Sequence, residues 1–176
     1  MCGPRLPPDC RRPAFPLALW KRLDDYTLYR DDFQKQIQSL KASGVHFITP
    51  QQLEKIVKKQ MKPDGKSVLV TLDDGDISQY RNVFPILRQE QVPFALFVIS
   101  GHAGDRSYEN LEMASLKQIR EMAQSGLATI GSHSNDMHTV DPYGDPVFLK
   151  RENTPQFGED LRRSIARIQQ ETGAAP

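Results

Sequence analysis

The sequence predicts an α/β protein with parallel strands, and three observations carry that expectation. Short runs of apolar and β-branched residues alternate with stretches whose apolar residues keep helical spacing. The strand-like runs at 67–72 and 92–99 are almost continuously apolar, the pattern of strands covered on both faces. The chain has 176 residues, enough for one domain that buries about two-thirds of its unfolded surface. Such alternation gives an open α/β sheet or a (β/α) barrel, and in both the functional groups collect at the carboxyl ends of the strands.

The elements follow in order. Residues 1–15, with Pro4, Pro7, Pro8, Pro13 and three arginines, are expected to be irregular, and the folded domain to occupy 16–176. Pro16-Leu17-Ala18-Leu19-Trp20 reads as a first strand. Asp31 stands as an N-cap before Phe33, Ile37 and Leu40 on one helical stripe, and Gly44 ends the helix. Residues 45–49 are β-prone. Leu53, Ile56 and Val57 place a second helix over 51–60. The strand at 67–72 follows. Tyr80, Val83, Phe84 and Leu87 then predict helix, with Pro85 in a first turn or at a kink. After the strand at 92–99, Ser115 and Gln118 form a capping box for a helix carrying Leu116, Ile119, Met122 and Ala123, stopped by Gly126. Residues 127–131 are strand-like and 136–154 a loop rich in Asp, Pro and Gly. A last helix is expected over 160–172, with Leu161, Ile165 and Ile168 inward and Gly173 after it. No internal repeat interrupts this order.

Composition narrows the function. Charged residues make up 26% and hydrophobic residues 38%, so the chain is expected to fold as a soluble globule. A formal net charge of +1 supports neither nucleic acid nor an anionic membrane as the main partner. No apolar run approaches the roughly 18–20 residues of a membrane span. Cys2 and Cys10 form no CxxC pair, which argues against zinc there and leaves a short disulfide open. The amino-terminal stretch lacks the apolar centre of a secretory signal. The expectation is a cytoplasmic protein, or one whose addressing segment is missing from the sequence.

Two runs carry the chemistry. Val68-Leu69-Val70-Thr71-Leu72 ends abruptly in Asp73, Asp74 and Gly75, and Ile130-Gly131-Ser132 ends in His133, followed by His138. Strand side chains alternate, so the adjacent aspartates point apart and suit different tasks. One carboxylate and two imidazoles can hold a divalent cation with positions left open, and the spare carboxylate can act as a base beside it. The plainer alternative is that Asp73, Asp74 or Asp76 caps the next helix. Asp136 reads as a further ligand or a turn carboxylate, and His46 and His102 receive no role. A phosphohydrolase built on Asp74 and Asp76 would lack the hydroxyl residue expected just beyond them and would leave the histidine pair unexplained.

Thr71-Leu72-Asp73-Asp74-Gly75 resembles the first motif of the polysaccharide deacetylases with the NodB homology domain, carbohydrate esterase family 4. His133-Ser134-x-x-x-His138 resembles the second, and its five-residue step is similar to the branch that acts on poly-β-1,6-N-acetylglucosamine. Phe84-Pro85-Ile86-Leu87 and Val92-Pro93-Phe94-Ala95-Leu96-Phe97-Val98-Ile99-Ser100-Gly101-His102 extend the likeness, which runs from about residue 16 to 176. The resemblance implies a distorted (β/α) barrel. It implies Asp73 as general base, and Asp74, His133 and His138 as ligands of a divalent metal, zinc foremost, with nickel or cobalt able to serve. The implied substrate is a GlcNAc-containing polysaccharide, the products acetate and a free amine, and the location extracellular or at the cell surface.

Leu72 stands where the family usually has Phe, and Asp76 where an aromatic residue is often found. By the resemblance, the family's Arg- and Pro-Tyr-Gly-containing segment should begin about where this sequence stops, at Gly173-Ala174-Ala175-Pro176, and its general-acid histidine should come later still. The expectation is therefore a fragment of a longer gene product whose barrel lacks its last strands. The alternative is a non-catalytic carbohydrate- or metal-binding remnant of that fold.

Overall fold

The computed structural model describes residues 28–173. The irregular segment expected at 1–15 and the strand expected at 16–20 lie outside the described residues. Helix α1 spans Arg30–Ala42 and buries Ile37, with Phe33 packed against the same core. Its N-cap is Tyr29 rather than Asp31. Asp31 and Asp32 instead occupy the first turn, where carboxylates face the positive end of the helix dipole. Strand β1 (His46–Phe47) leads into α2 (Pro50–Val57). Thr49 caps α2 by accepting from the Gln52 N–H, and Gln52 reaches back to the Thr49 N–H.

The apolar run at 67–72 is divided. Its first part, β2 (Ser67–Val68), pairs with β1, and its second, β3 (Val70–Leu72), pairs with β4 (Phe94–Val98). Thr71 is exposed and its neighbours half-buried, so this run is not covered on both faces. The change of partner at Leu69 leaves β3 at the margin of its sheet, with β4 alone beside it among the described residues.

Every pairing between the described strands is parallel, in the orders β1-β2 and β3-β4-β5, where β5 is Ala128–Ser132. Central β4 does meet the expectation of burial: Phe94, Ala95, Leu96 and Val98 are at most 2% exposed. Each fully buried Leu or Phe of this kind contributes roughly 2–3 kcal/mol of transfer free energy. Around it close α3 (Phe84–Glu90), α4 (Leu116–Gln124) and α5 (Thr154–Thr172), which supply Phe84, Leu87, Ile119, Met122 and Ile168 to one core.

Two helices differ from their expected form. The stretch before α3 widens into a π-helical turn at Gln79–Val83, immediately ahead of Pro85 in the first turn of α3. Proline has no N–H and crowds the preceding turn, and the widened turn absorbs both effects. α5 begins at Thr154, six residues before the expected start at 160, with Pro155 in its first turn. Its buried line is Asp160, Ser164 and Ile168, while Leu161 and Ile165 are only half-buried.

Parallel pairing brings the carboxyl ends of β3, β4 and β5 side by side. Three successive N–H groups just past β4 lock their continuations together. Ile99 donates to the Asp74 carbonyl (3.0 Å), Ser100 to Ser134 (3.1 Å) and Gly101 to Asn135 (2.8 Å). The backbones are so close at Gly101 that an added Cβ would stand 2.4 Å from the Asn135 oxygen. Gly101→Ala is expected to destabilise the fold by about 1–3 kcal/mol in urea unfolding, because a backbone atom rather than a pliable side chain must give way. Unchanged stability would show that the two loops part easily.

Candidate metal centre

The turn after β3 is built on two consecutive residues of left-handed backbone, Asp74 (φ +71°) and Gly75 (φ +88°). Glycine adopts that region freely and aspartate at modest cost. Space also favours glycine, since a Cβ there would stand 3.3 Å from Cγ1 of Val98. The turn is pinned by the Asp74 carbonyl on Ile99 and by the Gly75 carbonyl, which accepts from Ala114 (2.8 Å). Asp74 is thereby turned toward β5. Its Oδ1 lies 3.4 Å from Nε2 of His133, is buried, and has no hydrogen-bond partner.

His133 is the first residue after β5, held by its N–H on the Val98 carbonyl (2.9 Å). Ser134 then reverses the chain with φ +81°. The N–H groups of Asn135 and Asp136 both end on the Asp160 carboxylate, and the Tyr108 hydroxyl donates to the His138 carbonyl (3.0 Å). The reversal brings the His133 and His138 rings to 4.5 Å between centroids. One ligand atom each from Asp74, His133 and His138 lies within 4.8 Å of the others, all three residues half-buried. Ligand bonds of about 2.1 Å in tetrahedral geometry separate donor atoms by about 3.4 Å. The Asp74 to His133 spacing matches that edge. An orphaned buried carboxylate oxygen beside two imidazoles is the donor set that zinc, nickel or cobalt accepts.

The other candidate residues fall outside this trio. Asp73 is exposed, and its carboxylate has no hydrogen-bonding partner among the described residues; its carbonyl accepts from the Gly75 N–H (2.9 Å). Asp76 accepts the Ser78 N–H at 2.8 Å as the chain enters the helical stretch, the local, cap-like use of an aspartate that the plainer alternative describes. His46 is an exposed residue of β1. Asp136 faces His102 instead of the trio.

His102 proves to be the hub of a second cluster. Its Nδ1 meets Asp105 at 2.8 Å, its Nε2 meets Asp136 at 2.6 Å, and its ring stacks on Tyr108 at 3.8 Å. Burial works against the imidazolium, yet the two carboxylates outweigh it and raise the pKa above 6.5. A neutral ring would turn a lone pair toward one of those carboxylates. Burial, and then the negative charge of Glu109, Asp136, Asp74 and Asp160, pushes the Tyr108 hydroxyl up to about 12, so it stays a donor to His138. No spacing rule marks His102, Tyr108 or Asp160 as partners of the histidine loop. The one signal for Asp160 is its four-residue step to Ser164 and Ile168. Because the folded pKa of His102 is raised, its stabilisation is full below 6.5 and fades as pH rises through the folded value. His102→Gln is expected to cost about 1.5 kcal/mol in urea unfolding at acid pH and much less at alkaline pH. An equal cost at both would show that the ring acts neutral.

Known proteins resemble this chain in sequence and fold. The family model described as polysaccharide deacetylase matches residues 60–176. A poly-beta-1,6-N-acetyl-D-glucosamine N-deacetylase of Staphylococcus aureus strain MRSA252 is 34% identical over 144 residues, covering 82% of this chain and 49% of that protein. The Staphylococcus epidermidis protein of the same name is 32% identical over 144 residues, with the same coverage of 82% and 49%. The chain thus spans about half the length of the curated relatives it matches. Among solved structures, IcaB from Ammonifex degensii superposes with a TM-score of 0.82 at 40% identity, over 87% of this chain and 66% of that one. The BpsB deacetylase domain from Bordetella bronchiseptica gives 0.69 at 25% identity, over 87% and 69%. The parallel strands and outer helices are accordingly part of a distorted (β/α) barrel of the NodB-homology type, and the chain belongs to the polysaccharide deacetylase family.

Proposed function

We propose that the protein takes part in metal-dependent removal of N-acetyl groups from a GlcNAc-containing polysaccharide, poly-β-1,6-N-acetylglucosamine foremost. The observation that carries this reading is the convergence of Asp74, His133 and His138 within 4.8 Å, at the strand ends of a chain from this family. The name borne by the staphylococcal relatives supports the choice of polymer.

Asp74, His133 and His138 would hold the cation, zinc first and nickel or cobalt as alternatives. When bound, a cation of this kind polarises the substrate's amide carbonyl and makes water acidic enough to attack at neutral pH. The protein's own groups do the rest. The Asp73 carboxylate, exposed beside Asp74, accepts the proton of the attacking water. The Ile99 and Val98 backbone contacts hold Asp74 and His133 in place, and the Tyr108 hydroxyl holds the His138 backbone. As the N-acetyl C–N bond breaks, the sugar nitrogen takes up both hydrogens of the attacking water, the first by way of Asp73, so that amide and water become acetate and an ammonium. A polymer so charged adheres to anionic surfaces, which fits action at the cell surface. Among the described residues no helix is long and apolar enough to cross a membrane.

His138→Ala is expected to weaken zinc binding by about two orders of magnitude in calorimetry, since it removes one of three protein donors. Wild-type affinity in that variant would take His138 out of the site. The chain spans about half the length of the curated relatives it matches, so turnover is measured on the protein as its source produces it. There, Asp73→Asn is expected to keep the metal while acetate release from a β-1,6-GlcNAc oligomer falls by about 100-fold or more. Undiminished release would remove Asp73 from the role of base.

A further inference from the structure

We propose that Asp160 is the positioning residue for the histidine pair: its buried carboxylate sets the loop that joins His133 to His138, so that the two imidazoles are spaced before any cation arrives. This rests on the metal-centre reading above. Asp160 projects from the middle of α5 and is only 7% exposed. Its Oδ2 accepts the Asn135 N–H at 2.7 Å and its Oδ1 the Asp136 N–H at 2.8 Å. Both amides lie between the histidines, and Asp160 is not a member of the trio itself. It acts through backbone, not through contact with the cation.

A carboxylate is the group this geometry requires. Two N–H donors converge on one side chain, and only Asp or Glu offers an acceptor at both tips. An asparagine of the same size would accept one N–H and set its own NH2 against the other. The buried charge is compensated by two short, charge-assisted bonds, which makes the loop hard to shift.

One helical turn on, Ser164 extends the same grip. Its fully buried hydroxyl accepts from Ser100 (2.9 Å) and Ser132 (2.7 Å) and donates to the Ser134 carbonyl (3.2 Å). The four-residue step puts Asp160 and Ser164 on one face of α5, where together they bind residues 134, 135 and 136 in succession. This explains why α5 buries two polar residues along a line where apolar ones would be expected.

The test compares the unmodified chain with Asp160→Asn and, as a surface control, Glu159→Gln. Zinc affinity is measured by competition with a chromophoric chelator, and the visible absorption of the cobalt-loaded protein reports ligand geometry. Asp160→Asn is expected to bind zinc at least about tenfold more weakly and to shift the cobalt bands, with Glu159→Gln unchanged. Wild-type affinity with wild-type cobalt bands in Asp160→Asn would overturn the proposal. So would a variant that merely unfolds more easily while its cobalt bands stay the same, since that is a helix anchor only. Hydrogen exchange on the unmodified, metal-free chain covers the case in which Asp160→Asn does not fold. Slow exchange of the Asn135 and Asp136 amides supports a loop set in advance, and exchange as fast as an open loop overturns it. Failure of the unmodified chain to bind either metal would strike the metal-centre reading first, before any substitution is considered, and the proposal with it.

Discussion

Everything at this site hangs on the end of one buried strand. β4 is the most deeply covered element described, and just past it three consecutive N–H groups, of Ile99, Ser100 and Gly101, are spent on carbonyls of Asp74, Ser134 and Asn135. These bonds join the turn that bears Asp74 to the loop that bears the histidines. A parallel sheet makes such a junction available, because all three chains leave it in the same direction. The core therefore fixes the site through backbone: hydrophobic burial holds β4 still, and β4 holds both loops.

Four carboxylates lie on the turn, loop and helix that carry or hold the two imidazoles, and the fold leaves each in a different situation. Asp160 is taken by two backbone amides and Asp136 by His102. Asp73 stays exposed, and Asp74 keeps a buried oxygen without a donor. Leaving a buried acceptor unsatisfied costs about 1–3 kcal/mol, so such a group persists where something else offsets it. A cation shared with His133 and His138 would do so. The sorting also matters for selectivity among the acids. Asp136 is only two residues from His138, yet its pairing with His102 turns it elsewhere.

Legibility in the sequence follows how local each cause is. The capping box at Ser115 and Gln118, the apolar run of β4 and the DDG turn after a strand are each decided within a few residues, and all three were readable. The division of 67–72 at Leu69 was not, because the change of partner belongs to β1 and β4 rather than to the run itself. Asp31 resembles an N-cap by type, but the cap lies two residues earlier, at Tyr29, and Asp31 faces the helix dipole from within the first turn. The early start of α5 is not legible, because Pro155 and Gly158 in its first turns are the weakest helix formers. Asp160 is hidden with it: as the first residue of a helix an aspartate needs no further account, whereas within the helix and buried it demands a partner. The histidine spacing was visible, but the four residues between the rings gave no hint of what bends them.

That bend, and the turn at Asp74, are held against local preference. Asp74 and Ser134 both occupy left-handed backbone, at a cost of roughly 1–2 kcal/mol each for a residue other than glycine. Neither conformation would survive in an isolated peptide. Asp74 is kept by the Ile99 N–H and the close packing of Gly75 on Val98; Ser134 is kept by the Ser100 N–H and the Ser164 hydroxyl on its carbonyl. The two strained residues are a candidate ligand and the neighbour of another. Strain that sits beside the chemistry and is balanced by bonds from β4 and α5 marks a site whose shape is set by the whole domain. A cation would find its three donors already assembled, and the ordering entropy of the loops would have been met in folding instead of in binding.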